Sequence, residues 1–231
     1  MSIVKTYESG YKITTSDMCA MSPNGKYFVC SSESQYIQFF GTSEHTRCVI
    51  DTNFHIPNTA HIAISDDACY IGISYTSEIT GSIIQAIFTD GKTYTHRDIT
   101  GTIVAVKSIV FFNDVLYALN VAQNGDLLLT SFTPVTERYT SHKCPEPLSA
   151  MSRSPLSCTY IQVHNGMLYF VSYGAAGQIT MSLGKIVVGS PVILPHNGKL
   201  VPNVRNGYGW FSELHKLMIV CNDNMIRVAN M

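Results

Sequence analysis

The sequence predicts an all-β fold made of five copies of one four-stranded unit. Three observations carry that expectation: a recurring hydrophobic profile, turn residues at a fixed place within it, and a strand order repeated after it. The profile is anchored at Tyr27, Tyr70, Tyr117, Tyr169 and Leu217, at spacings of 43, 47, 52 and 48 residues. Six residues before the anchors stand Met21, Ile64, Phe111, Val163 and Phe211, and eight before stand Cys19, Ile62, Ile109, Ile161 and Gly209. Directly after them come Phe28, Ile71, Ala118, Phe170 and Met218. Alternate apolar positions of this kind mark strands with a buried face.

Between the first two strands of each copy lies a turn, written "PN", "DD", "ND", "NG" and, least typically, "EL". A third strand follows a polar loop: "YIQFF", "SIIQAIF", "DLLLTSF", "QITMSL" and "NMIRVANM". More polar outer strands come next, "TRCVI", "TYTHRDI", "VTERYT" and then "SPVILP". These segments are dense in Val, Ile, Tyr and Phe and are punctuated by Gly, Asn, Asp and Pro, as strands and turns require. A unit of four short strands over roughly 40–50 residues is the period of a β-propeller blade. A β-sandwich or a pair of small β domains also has short strands and regular turns, but neither accounts for the repeated anchor.

The expected architecture is a single five-bladed β-propeller over residues 1–231, with blades near 17–54, 60–100, 105–141, 158–196 and 206–231. The last copy lacks its outermost strand, and "SIVKTYES" near the start of the chain is a spare one. Residues 1–10 are therefore expected to pair in the last blade and close the ring, which removes two exposed sheet edges.

The stretch "SPNGKYFVCSSESQYIQFF", Ser22 to Phe40, resembles the inner hairpin of a WD-repeat blade, in which a Ser-Pro-(Asp/Asn)-Gly turn precedes the second strand. The Trp-Asp dipeptide and the Gly-His pair of that family are absent, so the resemblance is to a divergent, WD-repeat-like propeller.

Hydrophobic residues make up 45% of the chain and charged residues 13%, which excludes a disordered tail. A formal net charge of −1 gives no electrostatic case for nucleic acid or an anionic membrane as partner. Seven cysteines, no C-x-x-C pair, no Asn-x-Ser/Thr sequon and no apolar leader in "MSIVKTYESGYK" predict a reducing, intracellular, cytoplasmic setting. The longest apolar run, "GTIVAVKSIVFF", is interrupted by Lys107 and too short to span a bilayer.

Chemistry is sparse. A glycosidase needs paired carboxylates at the channel, and only Asp17 stands at the entrance to an inner strand. No Gly-x-Ser-x-Gly elbow, phosphate-binding glycine loop or zinc-ligand spacing occurs. No enzyme activity, metal or cofactor is expected, and His61, entering an inner strand, reads as a hydrogen-bonded structural residue. In a propeller the second-to-third loops open on one face around the channel. Here they place Glu33, Glu78, Asn124, Gln178, Asn222 and Asp223 as candidate binding residues. Trp210, the only tryptophan, is either inter-blade packing or an aromatic platform at the channel mouth.

The longest connection, Ser141 to Cys158, has three prolines and five serines. It is the candidate partner-docking loop, with Lys143, Pro145 and Arg153. The expected function is a non-enzymatic interaction module or scaffold that docks another protein within a larger complex. A carbohydrate-binding lectin is the alternative and a glycosidase-like hydrolase the third.

Overall fold

The computed structural model describes residues 19–32, 35–41, 47–52, 55–57, 60–77, 79–89, 92–98, 100–144, 158–164, 167–173, 179–186, 193–201, 204–211, 216–221 and 226–230. Its strands build antiparallel sheets, each laid down in chain order. The first holds β1 (Cys19–Met21), β2 (Tyr27–Ser32), β3 (Tyr36–Gly41) and β4 (Arg47–Asp51). The second holds β5 (His61–Ile64), β6 (Ile71–Thr76), β7 (Ile83–Thr89) and β8 (Lys92–Arg97). The third holds β9 (Ile103–Phe112), β10 (Val115–Ala122), β11 (Leu127–Thr133) and β12 (Arg138–Lys143). The fourth holds β13 (Cys158–His164), β14 (Met167–Tyr173), β15 (Ile179–Ile186) and β16 (Ile193–Val201). The last holds, among the described residues, β17 (Val204–Phe211), β18 (Lys216–Cys221) and β19 (Ile226–Asn230).

The first strands of successive sheets are neighbours: β1 lies beside β5, β5 beside β9, β9 beside β13 and β13 beside β17. Polar links fasten this inner row. His61 Nε2 meets the Val106 carbonyl at 3.1 Å, and the Ile161 amide donates to Ser108 Oγ at 2.8 Å. His61 is thus a bridge between the second and third sheets.

The core lies between sheets, not inside any one of them. Period-2 alternation sends successive residues of a middle strand to opposite neighbours. On β10, Leu116 and Ala118 join Ala63, Ile87 and Phe111 against the second sheet. Tyr117 and Leu119 join Ile161 and Leu168 against the fourth. Between the first two sheets Val29, Ile37, Ile62, Ile64, Ile71 and Ile73 pack together. Both faces of the middle strands of the second and third sheets are covered, so these strands read as near-continuous apolar runs.

The hairpins reveal a difference that the shared profile conceals. Met21 pairs with Phe28 and Ile64 with Ile71, whereas Phe111 pairs with Leu116 and Val163 with Leu168. The first two hairpins therefore carry longer turns of one design. Ser22 Oγ donates to Asn24 Oδ1 at 2.7 Å and accepts from the Tyr27 amide at 3.0 Å. Ser65 Oγ repeats this with Asp67 Oδ1 at 2.7 Å and the Tyr70 amide at 2.9 Å. The third hairpin is tight, with Asn113 and Asp114 both at positive φ (49° and 58°), the geometry whose twist suits a two-residue connection.

Gly25 and Ala68 occupy the same place in the first two turns, at φ 72° and 59°. That conformation costs an L-residue roughly 1–2 kcal/mol. Ala68→Gly is accordingly expected to raise unfolding free energy by about 1 kcal/mol in urea melts, while Gly25→Ala lowers it.

One expected boundary is corrected. The outer strand of the third sheet does not begin at Val135, because Pro134 to Glu137 form a turn closed by the Glu137 amide on the Pro134 carbonyl at 3.2 Å. The strand runs three residues further, so Lys143 ends β12 opposite Leu128 and the connection to the fourth sheet starts after it. Residues 1–10, Asp17, Pro145 and Arg153 lie outside the described residues.

Candidate functional site

Among the described residues of the first three sheets, the turns between second and third strands share one face with the linkers that join these sheets. The Gln123 amide, in such a turn, donates to the Thr102 carbonyl of a linker at 2.9 Å. In the first sheet Thr52 Oγ1 donates to the Gln35 carbonyl at 2.8 Å, joining the same two kinds of segment. The first-to-second turns lie at the other end of the strands.

Of the residues singled out from the sequence on this face, Asn124 is described. Its Nδ2 donates to Asp126 Oδ2 at 2.8 Å, and its Oδ1 accepts from the Asp126 amide at 3.1 Å. Both ends of the side chain close its own turn. Lys143 meets the same carboxylate, Nζ to Oδ2 at 2.6 Å. The structure thus brings Asn124 and Lys143 together on buried Asp126, where they fasten the rim of the third sheet. Glu33, Glu78, Gln178, Asn222 and Asp223 lie outside the described residues. Trp210 sits on β17 opposite Met218, with its side chain outside them.

Two hollows are lined by described residues. One, of about 220 Å³, lies at the first-to-second turns, lined by Ser65, Asp66, Asp67, Phe111, Asn113 and Asp114. Asp66 and Asp67 are tied to the turns. Asp66 Oδ1 accepts from the Asn24 amide at 2.7 Å, and Asp67 Oδ1 accepts from Ser65 and from the Cys69 amide at 2.9 Å. Burial works to raise the Asp67 pKa, and these bonds more than reverse it.

The other hollow, of about 290 Å³, opens between the outer parts of the second and third sheets. Sequence inspection missed it because its parts are some forty residues apart: His96 and Arg97 on β8, Asp98, Thr100 and Thr102 on the linker, Ile103 at the start of β9, and Leu128, Tyr139 and Ser141 on β11 and β12. The one local signal was "DITGT", an Asp followed two residues later by Thr, the pattern of a side-chain-capped turn. Asp98 does cap it. Oδ1 accepts from the Thr100 amide at 3.1 Å and Thr100 Oγ1 at 2.6 Å, and Oδ2 accepts from the Ile103 amide at 3.0 Å. Burial opposes ionisation of Asp98, but these bonds hold its pKa below the ordinary carboxylate value.

The wall is a ring pair. His96 stacks on Tyr139 with centroids 3.6 Å apart and planes 12° from parallel. Burial pushes Tyr139 up to about 12, with the nearby Thr130 hydroxyl working in the opposite direction. Burial also lowers His96, and the charge of Asp98 only partly offsets it. A histidine whose folded pKa is depressed stabilises the fold above its unfolded value, near 6.5, and loses that contribution as pH falls toward the folded value. Melting temperature is therefore expected to drop between pH 7.5 and 5.5, and His96→Phe is expected to flatten that part of the profile.

Among the described residues no cluster of three or more His, Cys, Asp or Glu side chains is placed to hold a metal ion. Cys144, buried under β11, has its thiol pushed up to about 12 by desolvation, which makes it a packing residue.

No family model and no curated protein sequence matches the chain. Solved structures do match. The chain is similar to the β-propeller domain of Cps50 (Swd1) from Myceliophteria thermophila at TM-score 0.55 and 14% identity, over 98% of this chain and 67% of that one. It is similar to SapL1 lectin in complex with alpha methyl fucoside at TM-score 0.54 and 12% identity, over 90% of this chain and 74% of that one. It also resembles prolyl oligopeptidase B from Galerina marginata at TM-score 0.56 and 13% identity, over 92% of this chain but only 32% of that one. At such identities the likeness shows the fold alone, and that fold is a β-propeller.

Proposed function

We propose that the chain is a closed five-bladed propeller acting as a non-enzymatic protein-interaction module. Residues 1–10 complete the last sheet beside β19, and another protein docks on the face of second-to-third turns and linkers. The relief and chemistry of that face support this. Ile79 is 95% exposed at the tip of the loop between β6 and β7, which is braced by the Ser77 amide on the Ser82 carbonyl at 2.8 Å. Val104, half exposed, is the second residue of β9 on the same side. The hollow there, about 290 Å³, is at the lower bound of about 300 Å³ for small-ligand pockets. A shallow surface with a projecting apolar residue suits a macromolecular partner, which alone covers enough of it to exclude water.

Affinity purification of the tagged chain from its own cells, followed by mass spectrometry, tests this. One or two stoichiometric partners are expected, and Ile79→Asp is expected to release them without lowering the melting temperature. A turnover activity that disappears on mutating Asp17 defeats the proposal.

A carbohydrate reading comes second. The inter-sheet hollow has Arg97, Asp98, Thr100, Thr102 and Ser141 in its lining, groups able to bond sugar hydroxyls, and one of the similar structures is a lectin with a bound fucoside. It ranks lower because Tyr139 gives one ring face to His96 and packs against the cluster containing Phe132, leaving little aromatic surface for a sugar ring. A glycan array without hits at high protein concentration removes it.

A further inference from the structure

We propose that the hollow between the second and third sheets recognises a neutral main-chain amide of an extended peptide, through Thr102 and Arg97. This rests on the interaction reading above and names the chemistry of one contact within it.

The proton bookkeeping at the linker decides the ligand class. Thr100 Oγ1 lies 2.6 Å from Asp98 Oδ1, and the ionised carboxylate accepts, so the single hydroxyl proton of Thr100 is committed there. Thr100 Oγ1 also lies 2.7 Å from Thr102 Oγ1. With no proton left on Thr100, Thr102 is the donor in that contact. The chain therefore runs from Thr102 to Thr100 to Asp98, polarised at its end by a buried negative charge. Thr102, exposed on the linker, is left with lone pairs and no proton: it is an acceptor. Arg97, exposed at the end of β8 and lining the same hollow, is a fork of donors with no acceptor capacity. No carboxylate pairs with it among the described residues.

Thr102 as acceptor and Arg97 as donor, with the Ser141 hydroxyl able to act as either, favour a neutral ligand that both donates and accepts. A carboxylate is disfavoured by the Thr102 lone pairs and the nearby Asp98 charge. An ammonium group is disfavoured by Arg97. A peptide unit fits, with its N–H on Thr102 Oγ1 and its C=O on Arg97, while the apolar lining of Leu128 and Ile103 takes an adjacent side chain.

The test is to pan a random peptide library displayed on phage against the purified full chain. Enriched peptides are expected to lose binding about tenfold or more, the worth of one or two hydrogen bonds, on Thr102→Val and on Arg97→Ala. Thr102→Ser, which keeps the hydroxyl, is expected to keep binding. Unchanged thermal melts check that the variants fold. Enriched peptides that bind both variants as well as the parent overturn the amide site but leave the interaction reading standing. Displacement of the peptides by methyl fucoside, or the failure of any peptide to enrich, also overturns it. The interaction reading is then decided separately by the Ile79→Asp purification.

Discussion

Gly72→Val is expected to destabilise the protein by about 3 kcal/mol or more, with Gly72→Ala at about 1–3 kcal/mol. Gly72 lies on β6 with its missing side chain facing the third sheet. A Cβ built there meets Leu116 Cδ1 at 2.7 Å, Leu116 Cδ2 at 3.0 Å and Phe111 Cε2 at 3.0 Å. Strand propensity favours Ala over Gly by roughly 0.5–1 kcal/mol, so the sign depends on whether Leu116 can yield. It cannot yield cheaply, because Leu116 is 0% exposed and Phe111 1% exposed within one packed cluster. Urea melts of the two variants measure the cost. Pairing Gly72→Ala with Leu116→Ala separates steric conflict from backbone effects. The double variant is expected to be more stable than the sum of the single changes, because each fills or relieves what the other creates. Additivity would show that the two sheets do not meet at this point.

The same position shows what could be read from the sequence. Two residues after each anchor stand Val29, Gly72, Leu119, Val171 and Ile219, and the alternating apolar profile identifies all as strand. It does not say that the second copy alone needs a glycine, since that follows from how closely two sheets approach. Register was likewise hidden. A period-2 pattern is unchanged by a shift of two residues, so hairpins with long and tight turns share one apolar profile. Turn chemistry distinguished them only for "SPNGKY" and "SDDACY", where Ser and Asn or Asp stand at the same offsets.

Site residues were harder still. Asn124 looked like a ligand-facing amide because turns on binding faces and turns that merely close use the same residues. Its two bonds to Asp126 are invisible in a string of letters. Arg97 and Thr102 gave no motif, because they come to line one hollow with Tyr139 and Ser141 only once the second sheet packs beside the third.

Thr130→Val is the other change expected to have a large effect, and it probes the polar seam inside that packing. Thr130 is 0% exposed, as is Asn120, and Gln85 is 2% exposed. Thr130 Oγ1 accepts from Asn120 Nδ2 at 2.8 Å and from Gln85 Nε2 at 3.3 Å, the second bond crossing from β7 to β11. Its own proton goes to the Ala118 carbonyl at 3.4 Å. Valine keeps the shape and removes the acceptor, which strands the Gln85 amide donor at about 1–3 kcal/mol and leaves Asn120 Nδ2 with the Ala118 carbonyl at 3.5 Å. Gln85 Oε1 and Asn120 Oδ1 have no hydrogen-bond partner, so that long contact is the weak hold that remains on Asn120. Thr130→Ser keeps the hydroxyl and is expected to cost about 1 kcal/mol, the loss of one buried methyl. Asn120→Leu in the Thr130→Val background removes a weakly held donor and is expected to recover part of the loss, giving a coupling of about 1 kcal/mol or more in a double-mutant cycle. Equal stability of Thr130→Val and Thr130→Ser would mean that shape, and not the hydroxyl, joins these two sheets.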